Sequence, residues 1–354
     1  MEKAVGSGIT SVPVKEKPSC VAKTRAEDKF AEQFVNLMIQ KIESLQTNWK
    51  QPWFNTKIFG FPQSITGRLY NGMNSFMLYL YTESMNFKTP VFITFKQAKN
   101  MGANVNKGEK SFPVVFWDFT IRNIKTNVRI TLDEYKKLTN EEKEQYTVRP
   151  FLVYHNVFNI DQTNLEEVNP ELFHQVQEKF VNNMVIDDNG LYSNPAIDEM
   201  IQQNGWLCKI IVKESNQAFY RRNTDEITVP LKGQFDTGED FYSTLLHEMT
   251  HSTGSDSRLN RTKGKKFGDE DYAQEELVAE LTSAMICHSI GINNSIQEQN
   301  AAYLKSWLKS IHQSPNFLLS ILGDVNKASR MIITEIAKYD SSLVAELEEA
   351  IAEN

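Results

Sequence analysis

The sequence predicts an α+β protein with two parts. The first is a small N-terminal α+β domain with an antiparallel sheet, and the second is a mostly helical domain with a small sheet. Alternating apolar residues mark strands between residues 112 and 158, whereas helical spacing dominates from residue 172 onward. The net charge of −7 is also divided unevenly: residues 41–129 carry twelve Lys or Arg against four acidic residues, so the remainder carries −15. This asymmetry indicates two domains with different partners.

The boundaries of the domains follow from composition. Residues 1–26 lack an apolar run and are expected to be a disordered leader rather than a signal peptide. Residues 27–160 form the first domain, the acidic residues 161–170 a linker, and residues 171–354 the second domain. Three widely spaced cysteines favour a reducing compartment. Because no window approaches the roughly 18 apolar residues of a membrane span, we expect a cytoplasmic protein without a membrane partner.

The first domain is predicted to begin with an amphipathic helix over residues 27–46, which Pro52 prevents from continuing. A glycine-containing segment then forms a turn that is expected to present Arg68 and Tyr70 outward. The next elements, in chain order, are a helix over 75–85, a strand over 91–94, a helix over 95–101, a turn over 105–110, and strands at 112–119, 128–130 and 150–158. The charged residues 133–145 are expected to form a solvated helical insertion.

The second domain contains a predicted hairpin directly before its main chemical motif. Residues 218–230 contain two strands around a polar turn, and Pro230 ends the second strand. Further along the chain, helices over residues 297–312 and 315–338 are expected to pack against the helices of the site.

The strongest chemical signal is the segment from His247 to His251, with the pattern HExxH. Residues four apart share one face of a helix, so these two histidines can present their imidazoles to one metal ion. Glu248 can then act as a general base toward a water molecule at that metal. The alternative is two histidines on an ordinary helix beside a solvated glutamate.

A catalytic zinc site also needs a third protein ligand. Residues 272–281 predict a helix on which Glu276 and Glu280 lie together at the edge of an apolar stripe, where two carboxylates are costly without a cation. Their spacing resembles the Glu-x-x-x-Asp of gluzincin metallopeptidases. The resemblance implies that Glu276 is the third zinc ligand and that Glu280 orients a ligand histidine. Glu275 points away from this pair and is the weaker candidate; a solvated acidic edge is the alternative.

The basic region is also rich in aromatic residues, since residues 41–129 contain sixteen of the 38 in the chain. Cations interleaved with rings are typical of surfaces that bind single-stranded nucleic acid, although most of these rings could instead belong to the core. The residues predicted to contact DNA are Arg68, Tyr70, Lys96, Lys107 and Lys110.

These motifs together resemble the ArdC-type antirestriction family, in which a single-stranded-DNA-binding domain precedes a zincin-like metallopeptidase domain. In the first half the resemblance lies in Trp49-x-x-Pro52-Trp53, Thr66-Gly67-Arg68-x-Tyr70-x-Gly72-x-Asn74, Thr94-Phe95-Lys96-Gln97-Ala98, Lys107-Gly108-Glu109-Lys110 and Asn156-Val157-Phe158-Asn159. In the second half it lies in His247-Glu248-x-x-His251-Ser252-Thr253-Gly254, Ser257-Arg258-Leu259-x-Arg261 and Tyr272-Ala273-x-Glu275-Glu276-Leu277-Val278-Ala279-Glu280-Leu281. The resemblance implies that the protein protects an incoming mobile element, such as a conjugative plasmid, from host restriction.

Three functions stay open on the sequence. The first is a metallopeptidase that uses Zn²⁺ or another divalent transition metal to hydrolyse a protein or peptide, with Tyr272, His288 or Tyr220 as the oxyanion donor. The second is a DNA-binding antirestriction protein whose metal is structural, and the third is an accessory role in plasmid replication. The intact Glu248 favours chemistry, because a structural metal has no need of a general base.

Overall fold

The computed structural model describes residues 21–48, 52–54, 60–70, 72–180, 185–261, 270–292, 294, 298–313 and 315–340. The predicted α+β class is confirmed, with two small sheets and a largely helical second half. Most of the predicted leader lies outside the described residues, and the first helix already begins at Val21, upstream of its predicted start. Among the described helices, none combines the length and the apolar character that a membrane crossing requires.

The first half consists of helices on a mixed five-stranded sheet with the order β1-β2-β5-β3-β4. Its elements are α1 (Val21–Thr47), β1 (Gln63–Ser64), α2 (Gly72–Ser84), β2 (Val91–Thr94), α3 (Phe95–Asn100), β3 (Phe112–Asn123), β4 (Arg129–Ile130), α4 (Leu132–Lys136), α5 (Asn140–Lys143) and β5 (Tyr146–Asn159). The sheet is antiparallel as predicted, except that β1 runs parallel to β2. The charged insertion forms α4 and α5, which contain no buried residue.

The segment that was expected to be a linker is folded onto the first half instead. It contains a 3-10 turn (Ile160–Gln162) and α6 (Leu165–Val168). Leu165 is fully buried, and the Asn164 side chain accepts a hydrogen bond from the backbone N–H of Asn104 at 2.6 Å. The acidic composition suggested a solvated linker because its apolar side chains are few. Of those few, Leu165 packs in the cluster that contains Val91 and Ile93 of β2.

The second half surrounds a three-stranded sheet with the order β6-β8-β7. Helix α7 (Pro170–Glu178) packs with the first half, because its buried Phe173 and Val176 lie in one cluster with Val91 and Ile93 of β2. The elements of the second half are α8 (Pro195–Gln202), β6 (Lys209–Val212), β7 (Phe219–Arg221), β8 (Glu226–Val229), α9 (Gly238–Thr253), α10 (Glu270–Ser289), α11 (Glu298–Ala301), α12 (Leu304–Gln313) and α13 (Pro315–Ala337). The predicted hairpin is formed by β7 and β8, with Asp225 at φ 52° in its turn. Helix α9 packs against β8 on one side and against α10 on the other.

The two halves share one hydrophobic core. The apolar face of α1 contacts α12 and α13, and α2 also packs on α13. Phe34 and Met38 of α1 therefore belong to the same buried cluster as Leu277 of α10 and Trp307 of α12. Two further clusters lie apart from this one. The long apolar stripe of α1 is covered by helices of the second half, so the first cluster spans both domains.

Candidate functional site

Helix α9 carries both histidines of the HExxH motif. Thr237 caps the helix by accepting a hydrogen bond from the backbone N–H of Asp240 at 3.2 Å. Since His247 and His251 are one turn apart, their Nε2 atoms approach to 3.1 Å. Both side chains are buried. The helix therefore presents two imidazole nitrogens to one point, as the sequence predicted.

Glu276 of α10 completes a group of three possible metal ligands. Its carboxylate oxygens lie 3.4 Å from Nε2 of His247 and 3.6 Å from Nε2 of His251. Ligand atoms of a tetrahedral zinc ion lie about 3.3 Å apart when each bond is about 2.0–2.1 Å long. The separation of the two imidazole nitrogens is close to one edge of such a tetrahedron, and each nitrogen has a different oxygen of Glu276 nearby. With one ligand atom from each residue, the three atoms lie within 4.8 Å of one another, so these side chains could hold a divalent cation.

Glu275 is not part of the ligand group, in line with its prediction as the weaker ligand candidate, but it contacts a ligand histidine. Its Oε1 lies 3.1 Å from Nδ1 of His251, on the side of the ring opposite to the ligand nitrogen. The guanidinium of Arg261 donates two hydrogen bonds to the same carboxylate, at 2.8 and 3.0 Å. Helix α10 crosses α9 with its acidic edge facing the histidines, so neighbouring glutamates reach the two nitrogens of one ring. This crossing cannot be deduced from spacing along α10.

Glu280 occupies the corresponding position beside the other histidine. Its Oε1 is 3.9 Å from Nδ1 of His247, which is an electrostatic contact longer than a hydrogen bond. The imidazoles of His247 and His251 both direct Nε2 toward Glu276, and each has a second carboxylate next to its Nδ1. Such partners fix the ring orientation and raise the basicity of a ligand histidine.

The electrostatics of the site favour a bound cation. Burial alone would lower the pKa of His251, but Glu276 and Glu275 raise it to about 10. Burial likewise opposes ionisation of Glu275, yet hydrogen bonds from His251 and Arg261 hold its pKa at about 2. The pKa of Glu276 is also below its usual range, because the two histidines outweigh its burial. The cluster therefore gathers negative charge, which a divalent cation would balance.

Glu248 and Tyr272 lie beside the three ligands. Glu248 is buried, and its charge contributes to raising the pKa of both His251 and Tyr272. The pKa of Tyr272 is raised chiefly by burial and also by a hydrogen bond to Glu276, so its hydroxyl keeps its proton. A buried carboxylate and a neutral hydroxyl at one metal point can serve as a base and a hydrogen-bond donor, respectively.

The other two candidates for the oxyanion donor are engaged elsewhere. His288 is buried between the rings of Phe54 and Tyr79, at centroid distances of 5.1 and 4.5 Å. The hydroxyl of Tyr220 donates to Asp225 at 2.7 Å and accepts from Arg258. Among the three candidates, Tyr272 makes a hydrogen bond to Glu276, one of the three possible metal ligands.

A groove of about 590 Å³ lies on the sheet of the first half. Its floor is formed by alternating residues of β3 and β5, among them Phe116 and His155, whose rings are 5.6 Å apart. One wall comes from the turn after β1, where the guanidinium of Arg68 lies 5.5 Å above the Phe116 ring. Gln97 lines the groove beside this turn: its side chain closes a capping box with Thr94 and donates to Ser64 Oγ at 3.4 Å. The groove combines ring faces, the cation of Arg68, the carboxylate of Asp118 and hydrogen-bonding side chains.

The five predicted DNA-contacting residues divide into two groups. Arg68 and Tyr70 both line the groove, but Arg68 is exposed, whereas the ring of Tyr70 is 8% exposed and packs edge-on against Phe92. The outward orientation predicted for Tyr70 is therefore wrong, because its ring packs into the core cluster that contains Phe92. Lys96, Lys107 and Lys110 are exposed, but none of them is among the described residues that line the groove.

Comparison with known proteins decides the family. The model for the N-terminal domain of anti-restriction factor ArdC matches residues 28–158, and a model for a zincin-like metallopeptidase matches residues 195–321. The metal-free crystal structure of antirestriction ArdC protein from plasmid R388 superposes with a TM-score of 0.62 and 26% identity. That comparison covers 87% of this chain and 98% of the other. The chain belongs to the ArdC-type family.

Other ArdC-type relatives bear on the metal and on chain length. The Mn(II)-bound structure of R388 ArdC matches with a TM-score of 0.61 at 25% identity, over 87% of this chain and 99% of that one. Two Escherichia coli proteins named DNA primase TraC are 30% and 31% identical over 86% and 84% of this chain. The chain spans only 27% and 19% of their lengths. The zincin-like match and the manganese-bound relative support a divalent metal at the ligand group.

Sequence reasoning missed two residues of this ArdC-type site. Arg261 was noted only as part of a motif, yet it neutralises Glu275 and also donates to Thr253 Oγ1 at 2.7 Å. Trp53 likewise stood in a motif, and its indole N–H donates to Glu280 at 3.3 Å from the other half of the chain. The unpaired acidic pattern around Glu275 could have suggested a buried arginine. No local signal could have located Trp53.

Proposed function

We propose that the chain is an antirestriction protein of a mobile genetic element, with a zinc-dependent metallopeptidase centre and a surface for single-stranded DNA. The observation that carries the metal centre is the convergence of His247, His251 and Glu276 at separations of 3.1, 3.4 and 3.6 Å. Two imidazoles and one carboxylate form the ligand set that catalytic zinc uses in metallopeptidases. The zincin-like match supports the same conclusion.

The residues around the ligands have distinct roles in this proposal. A bound zinc ion supplies Lewis-acid chemistry, polarising a carbonyl and lowering the pKa of water. Glu248 accepts the proton of the attacking water and returns it to the leaving amine. Tyr272 donates its hydroxyl hydrogen to the developing oxyanion. Glu275 and Glu280 hold the rings of His251 and His247 with Nε2 facing the ligand point.

The proposed DNA surface is centred on the groove of the first half. Arg68 and the faces of Phe116 and His155 could hold one or two unstacked bases, since the groove has the size of a small-ligand site, roughly 300–1,000 Å³. The exposed Lys96, Lys107 and Lys110 would contact phosphates beyond its edges. The net charge of +8 over residues 41–129 supports this assignment.

Three full-length proteins would test the proposal: wild type, Glu248→Gln and Arg68→Ala. We expect Glu248→Gln to bind Zn²⁺ but to lose hydrolysis of a peptide library, and Arg68→Ala to bind single-stranded DNA more weakly. Arg129→Ala is the matched control for DNA binding, because it removes one exposed positive charge from β4 at the far edge of the sheet. Transfer of unmodified plasmid DNA into a restricting host measures antirestriction.

The outcomes separate the parts of the proposal. If Glu248→Gln protects incoming DNA as well as wild type does, the chemistry is dispensable and the metal is structural for this role. If Arg68→Ala and Arg129→Ala bind DNA equally, the groove is not the DNA surface. Absence of stoichiometric Zn²⁺ in the wild-type protein would remove the metal centre altogether.

A second candidate function is an accessory role in plasmid replication. Similarity to a part of two proteins named DNA primase TraC favours it. In that case the Arg68→Ala variant should impair plasmid establishment equally in restricting and non-restricting hosts, whereas antirestriction predicts a defect in the restricting host only.

A further inference from the structure

The segment around Trp53 reaches from the first half into the back of the metal centre. Trp53 is fully buried, and its backbone N–H donates to the carbonyl of Asn294 at 3.1 Å. The neighbouring Phe54 packs against His288 of α10. This segment contacts both halves, because Phe54 also packs against Phe76 and Tyr79 of α2.

The indole of Trp53 makes a directed contact with Glu280. Its Nε1–H donates to Glu280 Oε2 at 3.3 Å, while Asn300 Nδ2 donates to the other oxygen, Oε1, at 2.8 Å. Oε1 is the oxygen that lies 3.9 Å from Nδ1 of His247. Because donors on both sides fix the carboxylate plane, the position of Oε1 relative to His247 is also fixed. Glu280 is 1% exposed, so no competing contact with bulk solvent is available to it.

The two ligand histidines are thus supported differently. The partner of His251 is held by Arg261, which lies on the same half of the chain. The partner of His247 is held by Asn300 of the second half and by Trp53, which lies within residues 28–158, the part matched by the ArdC N-terminal domain. One of the two orienting carboxylates therefore receives one of its two hydrogen bonds from the neighbouring domain.

We propose that Trp53 is a positioning residue of the metal centre: its indole N–H orients Glu280, which in turn orients His247. The N-terminal domain then contributes to metal affinity without supplying a ligand. The common core of α1, α2, α12 and α13 keeps this contact in register. This inference rests on the proposed metal function, and the experiment below can distinguish failure of one from failure of the other.

The test measures Zn²⁺ affinity of the full chain by competition with a chromophoric chelator. Trp53→Phe removes the N–H and should weaken Zn²⁺ binding by about 3- to 10-fold, less than the roughly 10- to 100-fold loss expected when an orienting partner itself is changed, as in Glu280→Gln. Trp307→Phe is the matched control. Trp307 is equally buried and its Nε1 also donates a hydrogen bond, but to the backbone carbonyl of Ala273 at 2.7 Å rather than to Glu280.

A double-mutant cycle distinguishes positioning from general loosening of the structure. If Trp53 acts through Glu280, the Trp53→Phe change should have little further effect on affinity in a Glu280→Gln background. Should Trp53→Phe fail to fold, replacement of Trp53 with benzothienylalanine keeps the bicyclic shape and lacks only the N–H donor. The same weakening of Zn²⁺ binding is expected for that protein.

Three results would overturn the inference. The first is Zn²⁺ affinity in Trp53→Phe equal to that of Trp307→Phe and wild type. The second is full additivity of Trp53→Phe and Glu280→Gln in the cycle. The third is wild-type affinity in the benzothienylalanine protein. If the wild-type protein itself binds no Zn²⁺, the metal function fails first and this inference fails with it.

Discussion

Substitution of Glu275 by glutamine tests whether this residue supports the fold and the site, as its contacts in the structure indicate. The Glu275 and Arg261 side chains are each 5% exposed and are joined by two hydrogen bonds. Removing one charge of a buried pair costs about 3–5 kcal/mol, because the remaining ion stays desolvated. Glutamine keeps one acceptor oxygen, so we expect the lower end, about 3 kcal/mol, and a fall in Tm of about 5–10 °C.

The same substitution should weaken metal binding. Glu275 lies 3.1 Å from Nδ1 of His251, and loss of such a partner reduces metal affinity by roughly 10- to 100-fold, or about 1.4–2.7 kcal/mol. Glu276→Gln provides the contrast: it should lose the metal while leaving Arg261 paired, so the Tm of its metal-free form should fall less.

Calorimetry of metal-free protein and a Zn²⁺ titration would measure both effects. Glu141→Gln is the control, since Glu141 is exposed on α5 and its substitution should change stability by less than about 0.5 kcal/mol. The reasoning is refuted if Glu275→Gln matches Glu141→Gln in both Tm and Zn²⁺ affinity. Glu275 would then contribute neither to stability nor to metal binding.

Three further predictions concern the surroundings of the two sites. Tyr70→Ala should destabilise the protein by about 3–5 kcal/mol, because the ring is buried; an unchanged urea midpoint would argue for a surface platform instead. Lys107→Ala combined with Lys110→Ala should reduce the slope of log affinity for single-stranded DNA against log salt by up to about 1.4, and an unchanged slope would remove both from the DNA surface. The hydrogen bond from Arg258 lowers the pKa of the Asp225 carboxyl. The stabilisation from this pair is therefore complete above the unfolded-state pKa and is lost as pH falls through the lower folded-state pKa. Asp225→Asn should therefore flatten the loss of stability as pH falls below the unfolded-state pKa of about 3.9, which urea unfolding at several pH values would measure.

The sequence alone determined the individual helices and strands and the two histidines of the possible metal ligands. Strand alternation located β3 and β5, and the four-residue spacing of His247 and His251 placed two imidazoles on one face of α9. Both inferences hold because they depend only on the geometry of a single element, with periods of 2.0 and about 3.6 residues. Glu276 also lies with the histidines, as the gluzincin spacing implied.

Only the tertiary structure decided which carboxylate serves which histidine and which half of the chain supports it. The spacing within α10 is the same whatever its rotation against α9, so Glu275 could not be assigned to His251 in advance. Tyr70 turned inward because the sheet supplied a buried site for its ring. The hydrogen bond from Trp53 to Glu280 joins residues 227 positions apart. Contacts of this kind are selected by packing between elements, which no local pattern encodes.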